Sequence, residues 1–341
     1  MIFGNPEDMN TQLLEKICSL YDIVLTDLNF LGAMDNNFVF EYQKNNKKYI
    51  LRGGTRHTSE QVQAELDWIL YLDSSGVKVS IPIKSKKKNY LELIKYKEKI
   101  INAMVFEKAP GIAVDYRNPE VWNEDLWEEM GRTLGKMHSA AVKYNSKRLD
   151  IKRLTAFESV QAQIDNCLDF IESTVIKRFN ELKDKLSQLP RDNNAFGLIQ
   201  YDFHADNFNI DNGKIIVYDF DDSYYFFFMY DLAASIHEAV WDVPDEKKRE
   251  FANRFIPSLW KGYCEEYNLD RKWLDYLPDF LKWREFDIYA TLVETDKEKT
   301  ASERVLQELE EWIPEFKDRV ESDKQIIPIP KDLKEWFRDI F

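Results

Sequence analysis

Gln200-Tyr201-Asp202-Phe203-His204-Ala205-Asp206-Asn207-Phe208-Asn209-Ile210-Asp211-Asn212-Gly213-Lys214-Ile215-Ile216-Val217-Tyr218-Asp219 carries the pattern that decides the fold. Asn212-Gly213 between two alternating runs signals a two-residue hairpin, because a type I′ turn needs left-handed backbone at both central positions. If that loop sets the register, facing residues sum to 425: Asp211 with Lys214, Ile210 with Ile215, Phe208 with Val217. The apolar pairs then share one face, as a half-buried ribbon requires. The same register puts Asn207 opposite Tyr218, beside Asp219, with Asp202 on the loop just before. Three oxygen-bearing side chains thus converge at one end of a rigid hairpin.

That convergence has a chemistry. Asn207 and Asp219 offer the hard oxygen ligands that Mg²⁺ takes when it also binds phosphates. Asp202 can accept the proton of an attacking hydroxyl. A carboxylate, an Asn a few residues on and a second Asp beyond a hairpin are the parts that kinase-type phosphoryl transfer requires.

The 341 residues exceed what one compact core usually holds, so two lobes are expected. Apolar residues make up 44%, which excludes a largely disordered chain. The net charge of −14 argues against a nucleic-acid binder, which needs a basic surface, and is compatible with a cationic small molecule, which an acidic cleft would concentrate. The longest apolar run, Tyr224 to Tyr230, is too short to span a bilayer. Met1 to Asp8 lacks the basic and apolar regions of a leader. Cys18, Cys167 and Cys264 show no metal or disulfide spacing and read as reduced, buried thiols. A cytoplasmic protein without a membrane partner is expected; its oligomeric state is not legible.

Upstream of the hairpin, Leu13, Leu14, Ile17, Cys18 and Tyr21 mark a short amphipathic helix. Strands are expected at 23–30, 38–42, 48–51, 79–83, 90–94 and 100–106, and a helix capped by Thr58 or Ser59 ends before Gly76. The run Lys84 to Lys88 reads as a solvated hairpin tip. Beyond Pro119 the pattern turns helical: 121–142, one long stretch 154–189, 229–239, 246–267 and further helices, interrupted by β structure only between Gly197 and Asp222. The expected fold class is α+β and bilobal. A small N-terminal lobe (1–106) has an antiparallel sheet and a helix, a hinge follows (107–112), and a mainly helical C-terminal lobe (113–341) carries the hairpin.

The segment Gly197 to Phe208 resembles the catalytic loop of the aminoglycoside phosphotransferase and choline kinase-like families, within the protein-kinase-like fold. Tyr218-Asp219-Phe220-Asp221-Asp222 is similar to their metal-binding strand end. Tyr230-Asp231-Leu232-Ala233 is similar to the following helix start, and Leu134-Gly135-Lys136-Met137-His138 to the helix before the loop. The likeness is nearest to the homoserine-kinase-like and stress-response-kinase-like branch. It implies Asp202 as catalytic base, Asn207 and Asp219 as metal ligands, Mg²⁺ as cofactor and ATP as phosphoryl donor, GTP being the alternative the motifs do not separate.

On the nucleotide side, Leu31 to Phe38 occupies the place of the phosphate-covering loop but has one glycine, Gly32, and Arg52 stands where a strand Lys is usual. Glu65, 13 residues on, interrupts an inward-pointing stripe and calls for a cation, for which Arg52 is suited. Phe106 and Lys108 fall in the connector that would meet the adenine edge. Gln200 replaces the usual His and Tyr201 the usual Gly; Gln200 and His204 are expected to support the loop. Asp206, Asp222, Tyr224, Trp283 and Arg284 are candidates for the acceptor pocket, with the acids suited to an amine. The reading is an ATP-dependent O-phosphotransferase acting on a small, amine-bearing alcohol of aminoglycoside, choline or homoserine type. Two alternatives stay open: a nucleotide-binding pseudokinase, favoured by Arg52 and Gln200, and a metal-dependent hydrolase built on Asp202, His204 and Asp206.

Overall fold

The computed structural model describes residues 11–34, 36–144, 153–299, 301, 303–322, 324–330 and 336. The leader reading at Met1–Asp8 and Asp35 of the covering loop lie outside them. Helix α1 (Thr11–Tyr21) precedes strands β1 (Asn29–Met34), β2 (Asn37–Lys44) and β3 (Lys47–Gly54), then helix α2 (Ser59–Ser74). Strands β4 (Pro82–Ile83), β5 (Glu92–Tyr96) and β6 (Lys99–Glu107) complete an antiparallel sheet in the order β1-β2-β3-β6-β4, with β5 also on β6.

Strand alternation builds the two faces of this sheet. Phe38, Phe40, Tyr42 and Leu51 turn to one side, where α1 covers them with Leu13, Leu14, Ile17 and Tyr21. Met104 and Phe106 turn to the other, joining Val62, Leu66, Ile69 and Leu72 of α2. Thr58 caps α2 in a reciprocal capping box with Gln61.

The rest is mainly helical. Strand β7 (Ile112–Ala113) leads to α3 (Glu124–Lys143), α4 (Ala156–Asn166) and α5 (Ser173–Ser187). Strands β8 (Phe196–Ile199), β9 (Phe208–Asp211), β10 (Lys214–Val217) and β11 (Tyr224–Phe227) come next, followed by α6 (Phe228–Trp241), α7 (Asp245–Glu266), α8 (Leu277–Glu298) and α9 (Glu303–Ser322). The β9–β10 register pairs Lys214 with Asp211 and Val217 with Phe208, as the sum of 425 requires, and Asn212 and Gly213 both have positive φ (50° and 72°). Helices α3 and α7 cross at glycine contacts: a Cβ on Gly131 would come within 1.9 Å of the Leu259 carbonyl, and one on Gly262 within 1.9 Å of the Glu128 carbonyl. No helix among the described residues is long and apolar enough to cross a membrane.

Six local expectations need correction. Residues 23–28 do not form a strand: Asp22 ends α1 in a left-handed conformation (φ 57°) and a 3₁₀ turn at Leu25–Asp27 follows. Lys84–Lys88 is not a hairpin tip, because β4 and β5 both pair with successive parts of the same edge of β6. Of 79–83 only Pro82–Ile83 enters the ladder; Val79 bridges instead to Val217, and the Ser80 amide donates to the Val217 carbonyl (2.8 Å), docking the sheet's connector on the hairpin. The stretch 154–189 is two helices separated by a turn in which Phe170 N–H donates to the Cys167 carbonyl. Tyr224–Phe227 is a strand on β8, and Cys264 is exposed.

Candidate active site

The loop between β8 and β9 is fixed by its backbone before its side chains matter. Tyr201 has φ 75°, a left-handed conformation that costs a non-glycine residue about 1–2 kcal/mol. The buried Asp231 carboxylate near the start of α6 accepts from the Tyr201 amide (2.8 Å) and the Gln200 amide (3.3 Å). His138 of α3 holds that carboxylate (3.1 Å) and is held in turn by the Tyr263 hydroxyl of α7 (2.8 Å), so it is a satisfied interior histidine. The Tyr201 ring stacks on Tyr230 (4.4 Å) and its hydroxyl accepts from Trp283 Nε1 (3.1 Å). Gln200 Nε2 donates to the Asp219 carbonyl (2.8 Å), tying the two loops together.

Asp202 follows directly. Its Oδ1 accepts from Arg284 Nη2 at 2.5 Å; its Oδ2 accepts from Asn207 Nδ2 at 3.0 Å and lies 3.3 Å from His204 Nε2. Burial works against the charge, but Arg284 and then His204 hold the Asp202 carboxyl well below the usual carboxylate range. Burial likewise opposes a charged His204, yet its bonds to Asp202 and Asp206 push the imidazole up to about 10. His204 lies between two carboxylates, 3.3 Å from Asp202 and 3.7 Å from Asp206, and its Nδ1 accepts from the Asp206 amide (3.4 Å) at the turn that follows, an arrangement that suits loop support. Asp206 is exposed and within reach of the Tyr116 hydroxyl (3.4 Å).

Asp219, at the end of β10, also has positive φ (61°). Its carboxylate stands 3.9 Å from Arg52 Nη1, and Arg52 Nη2 donates to Glu65 Oε1 at 2.5 Å, so β3 and α2 form the buried pair expected from their spacing. Arg56, on the loop after β3, donates to Asp221 (2.9 Å) and Asp222 (2.9 Å). Burial opposes the charge on Asp221, while Arg56, Arg52 and His57 keep it ionised. That anion raises the carboxyl of the half-exposed Asp219 well above its usual range. Two crowded carboxylates of hard oxygen are what a divalent cation relieves, so Asp219 fits such an ion. Asn207 is tied to this corner by its backbone, its carbonyl accepting from the Tyr218 amide (2.9 Å), and its Nδ2 turns to Asp202. Among the described residues no cluster of three or more His, Cys, Asp or Glu is placed to hold a metal. An ion shared with nucleotide phosphates needs fewer protein ligands.

Two cavities meet at this corner. One, about 310 Å³, is walled by Ile50, Ile69, Phe106, Ala109 and Phe220, with Lys108 and Glu65 at its edge. The other, about 630 Å³, is lined by Gly32, Arg56, Tyr201, Asp202, Asp222, Tyr224, Arg284 and Asp287. Leu31, Val39, Arg52 and Asp219 border both. A Cβ at Gly32 would meet open space, so no contact within the chain demands glycine there. The Lys108 ammonium turns to Glu41.

The acceptor candidates divide. Asp222, Tyr224 and Arg284 line the larger cavity, with the Tyr224 hydroxyl on Asp222 (3.1 Å). Trp283 does not: it is fully buried behind Tyr201, because consecutive residues on α8 point to different faces. Asp206 does not line the cavity either, since the turn after His204 directs it toward Tyr116. Missed from the sequence were Arg56, Glu238, whose carboxylate accepts from Arg284 (2.8 Å), and the role of Arg153, which donates to the carbonyls of Ser223 (2.7 Å) and Gln61 (3.1 Å). Arg284, Asp287, Ile288 and Thr291 form a helical stripe that the sequence does display; Arg56 and Arg153 sit in loops with no motif.

The phosphotransferase enzyme family model matches residues 29–277. Amicoumacin kinase of Bacillus subtilis (strain 168) is 32% identical over 286 residues, covering 82% of this chain and 84% of its own. An amicoumacin kinase solved in complex with AMP-PNP, Ca²⁺ and Ami superposes with a TM-score of 0.85 at 31% identity over 98% of both chains. A microcompartment-associated aminopropanol kinase shares the fold at 17% identity (TM-score 0.67, 92% of this chain and 98% of that one). The apolar pocket opening onto clustered carboxylates is thus the cleft of a known architecture: this chain belongs to the phosphotransferase enzyme family and is an ATP-dependent small-molecule kinase.

Proposed function

We propose that the chain transfers the γ-phosphoryl group of ATP to a hydroxyl of a small, amine-bearing molecule, with amicoumacin the first acceptor to test. The observation that carries this reading is the junction of the two cavities at Arg52 and Asp219, with Asp202 facing only the larger one. Residues 1–106 cover the nucleotide, 107–112 act as hinge, and 113–341 supply the catalytic loop and acceptor site.

The smaller cavity takes the adenine between Ile50, Ile69, Phe106 and Phe220. Arg52, kept charged and oriented by Glu65, meets the α- and β-phosphates. Asp219 and Asn207 hold Mg²⁺, which when bound neutralises charge on the phosphate oxygens. Asp202, held as an anion with both oxygens oriented, accepts the hydrogen bond of the acceptor hydroxyl and receives its proton as the new O–P bond forms and the bond from the γ-phosphorus to the β–γ bridging oxygen breaks, with ADP as the leaving group. Its weak basicity suits a loose transition state in which the proton moves late and positioning supplies most of the rate. The carboxyl groups lining the acceptor cavity, Asp202, Asp219, Asp221, Asp222 and Asp287, outnumber its arginines, Arg52, Arg56 and Arg284, which favours a cationic acceptor.

Phosphate transfer from ATP should be followed across amicoumacin, aminoglycosides, choline and homoserine. One of these amines is expected to turn over, and Asp202→Ala to abolish that turnover while AMP-PNP binding persists. Wild-type turnover by Asp202→Ala would refute the assignment of the base.

A further inference from the structure

Arg284 lines the acceptor cavity, but its guanidinium is already spent on the protein. Nη2 is shared between Asp202 Oδ1 (2.5 Å) and Glu238 Oε1 (2.8 Å), Nε donates to the same Glu238 oxygen (3.1 Å), and Nη1 lies 3.5 Å from Asp287. The Arg284 side chain is 10% exposed. A planar fork with donors fixed on two carboxylates from two other elements has little left for an incoming molecule, and its rigidity orients what it touches.

The second anchor comes from α6. Asp231 and Glu238 are seven residues apart, two turns along one face of that helix. Asp231 fixes the backbone of the catalytic loop at Gln200 and Tyr201, while Glu238 fixes Arg284, which fixes the side chain of Asp202. One helix face therefore sets both the path of the loop and the rotation of its carboxylate. Asn207 completes the restraint on the other oxygen.

We infer that Arg284 and Glu238 are positioning residues for phosphoryl transfer, a relay from α6 through α8 that holds the Asp202 carboxylate toward the acceptor hydroxyl. This rests on the reading of Asp202 given above. Arg284 thus serves the rate of the chemical step and does not bind the acceptor.

The test is steady-state kinetics of Arg284→Gln, Arg284→Lys and Glu238→Gln in the full chain, with Asp202→Asn as control and AMP-PNP calorimetry reporting an intact nucleotide site. Arg284→Gln is expected to lower kcat on the order of 10²-fold, the cost of a small misplacement of a reacting group. Acceptor KM should stay within about threefold of wild type, because only an interaction made in the transition state is lost. Lys, which keeps the charge but not the fork, should recover part of kcat, and Glu238→Gln should lower kcat by about tenfold at constant KM. A raised acceptor KM with kcat intact would make Arg284 an acceptor anchor and overturn the inference, as would unchanged kinetics in both Arg284→Gln and Glu238→Gln. Activity retained by Asp202→Asn would instead overturn the underlying reading of the base.

Discussion

Replacing Glu65 by Gln asks whether Arg52 is a nucleotide ligand poised by its partner or one half of a structural pair. Glu65 is 1% exposed and Arg52 13%, at 2.5 Å, so the pair is effectively desolvated. Gln keeps the shape and a carbonyl acceptor but removes the compensating charge. Breaking a buried pair from one side costs about 3–5 kcal/mol. Arg52 retains Asp219 at 3.9 Å and lies 5.4 Å from the Phe106 ring centre, which places the loss near or below the lower end, about 2–3 kcal/mol. With about 2.1 cal/mol/K of unfolding entropy per residue, the 341-residue chain loses roughly 3–4 °C in Tm. The ATP KM should rise in the same variant, because an unrestrained guanidinium swings toward Asp219. The double variant Arg52→Gln/Glu65→Gln should recover most of the stability, since no buried charge is left alone, yet lose ATP affinity further. Thermal melts and ATP saturation curves on the four proteins close the cycle. Additive stability losses would refute the electrostatic coupling, and a normal ATP KM in the double variant would remove Arg52 from the nucleotide site.

Three further outcomes are expected. Tyr201→Gly relieves a left-handed φ of 75° but deletes a ring packed on Tyr230 and Trp283; the packing loss of about 3–5 kcal/mol outweighs the relief of about 1–2, so Tm falls, and a rise would refute that balance. Burial raises the Asp287 carboxyl from 3.8 to about 7 against the pull of Arg284; because the folded state holds the proton more tightly, this group's stabilisation is full below pH 4 and is lost as pH rises toward 7, so Asp287→Asn should flatten the Tm–pH curve across that window. Gly131→Ala and Gly262→Ala each push a methyl into the opposing helix backbone and should cost at least about 1–3 kcal/mol in urea titrations, whereas Gly32→Ala, facing open space in the cleft, should leave the urea midpoint unchanged.

What the sequence displays and what it hides follow from the range of the interactions. The hairpin register was legible because an Asn-Gly turn and two alternating strands are local, and it carried Asn207 and Asp219 to the same end before any fold was known. The Arg52–Glu65 pair was legible because a charge inside an apolar stripe needs a partner and strand alternation offers one. Arg56 and Arg153 were not: each binds residues more than 65 positions away, from loops without periodicity. The error at Trp283 has the same origin. Helix phase alone does not say which of two apolar-polar faces meets a cavity until α4 and α6 are in place beside α8, and then Arg284 and Asp287 face the opening while Trp283 faces the core. At Lys84–Lys88 the lysines are exposed, as a basic run implies, but the topology depends on how β4 and β5 share one edge of β6.

Gln200 and Tyr201, which stand where His and Gly are usual, are each accommodated by specific partners. A residue before the base in left-handed conformation would ordinarily be glycine, because only glycine adopts it without strain. Here Tyr201 adopts it, held by Asp231 through its amide and by Trp283 through its hydroxyl. Asp219 is strained in the same sense, and the amide of Gln200 grips its carbonyl. Neither strained residue stands alone: Gln200 and Tyr201 share the Asp231 anchor, and Gln200 reaches across to the second loop. Ten non-glycine residues among the described ones have positive φ, and Tyr201 and Asp219 are set apart by the groups that hold them, Asp231 and Trp283 for the one and the Gln200 side chain for the other. With the roles proposed for Asp202 and Asp219, these restraints keep the separation between the base and the metal-binding carboxylate from drifting, and a fixed separation is what in-line transfer requires.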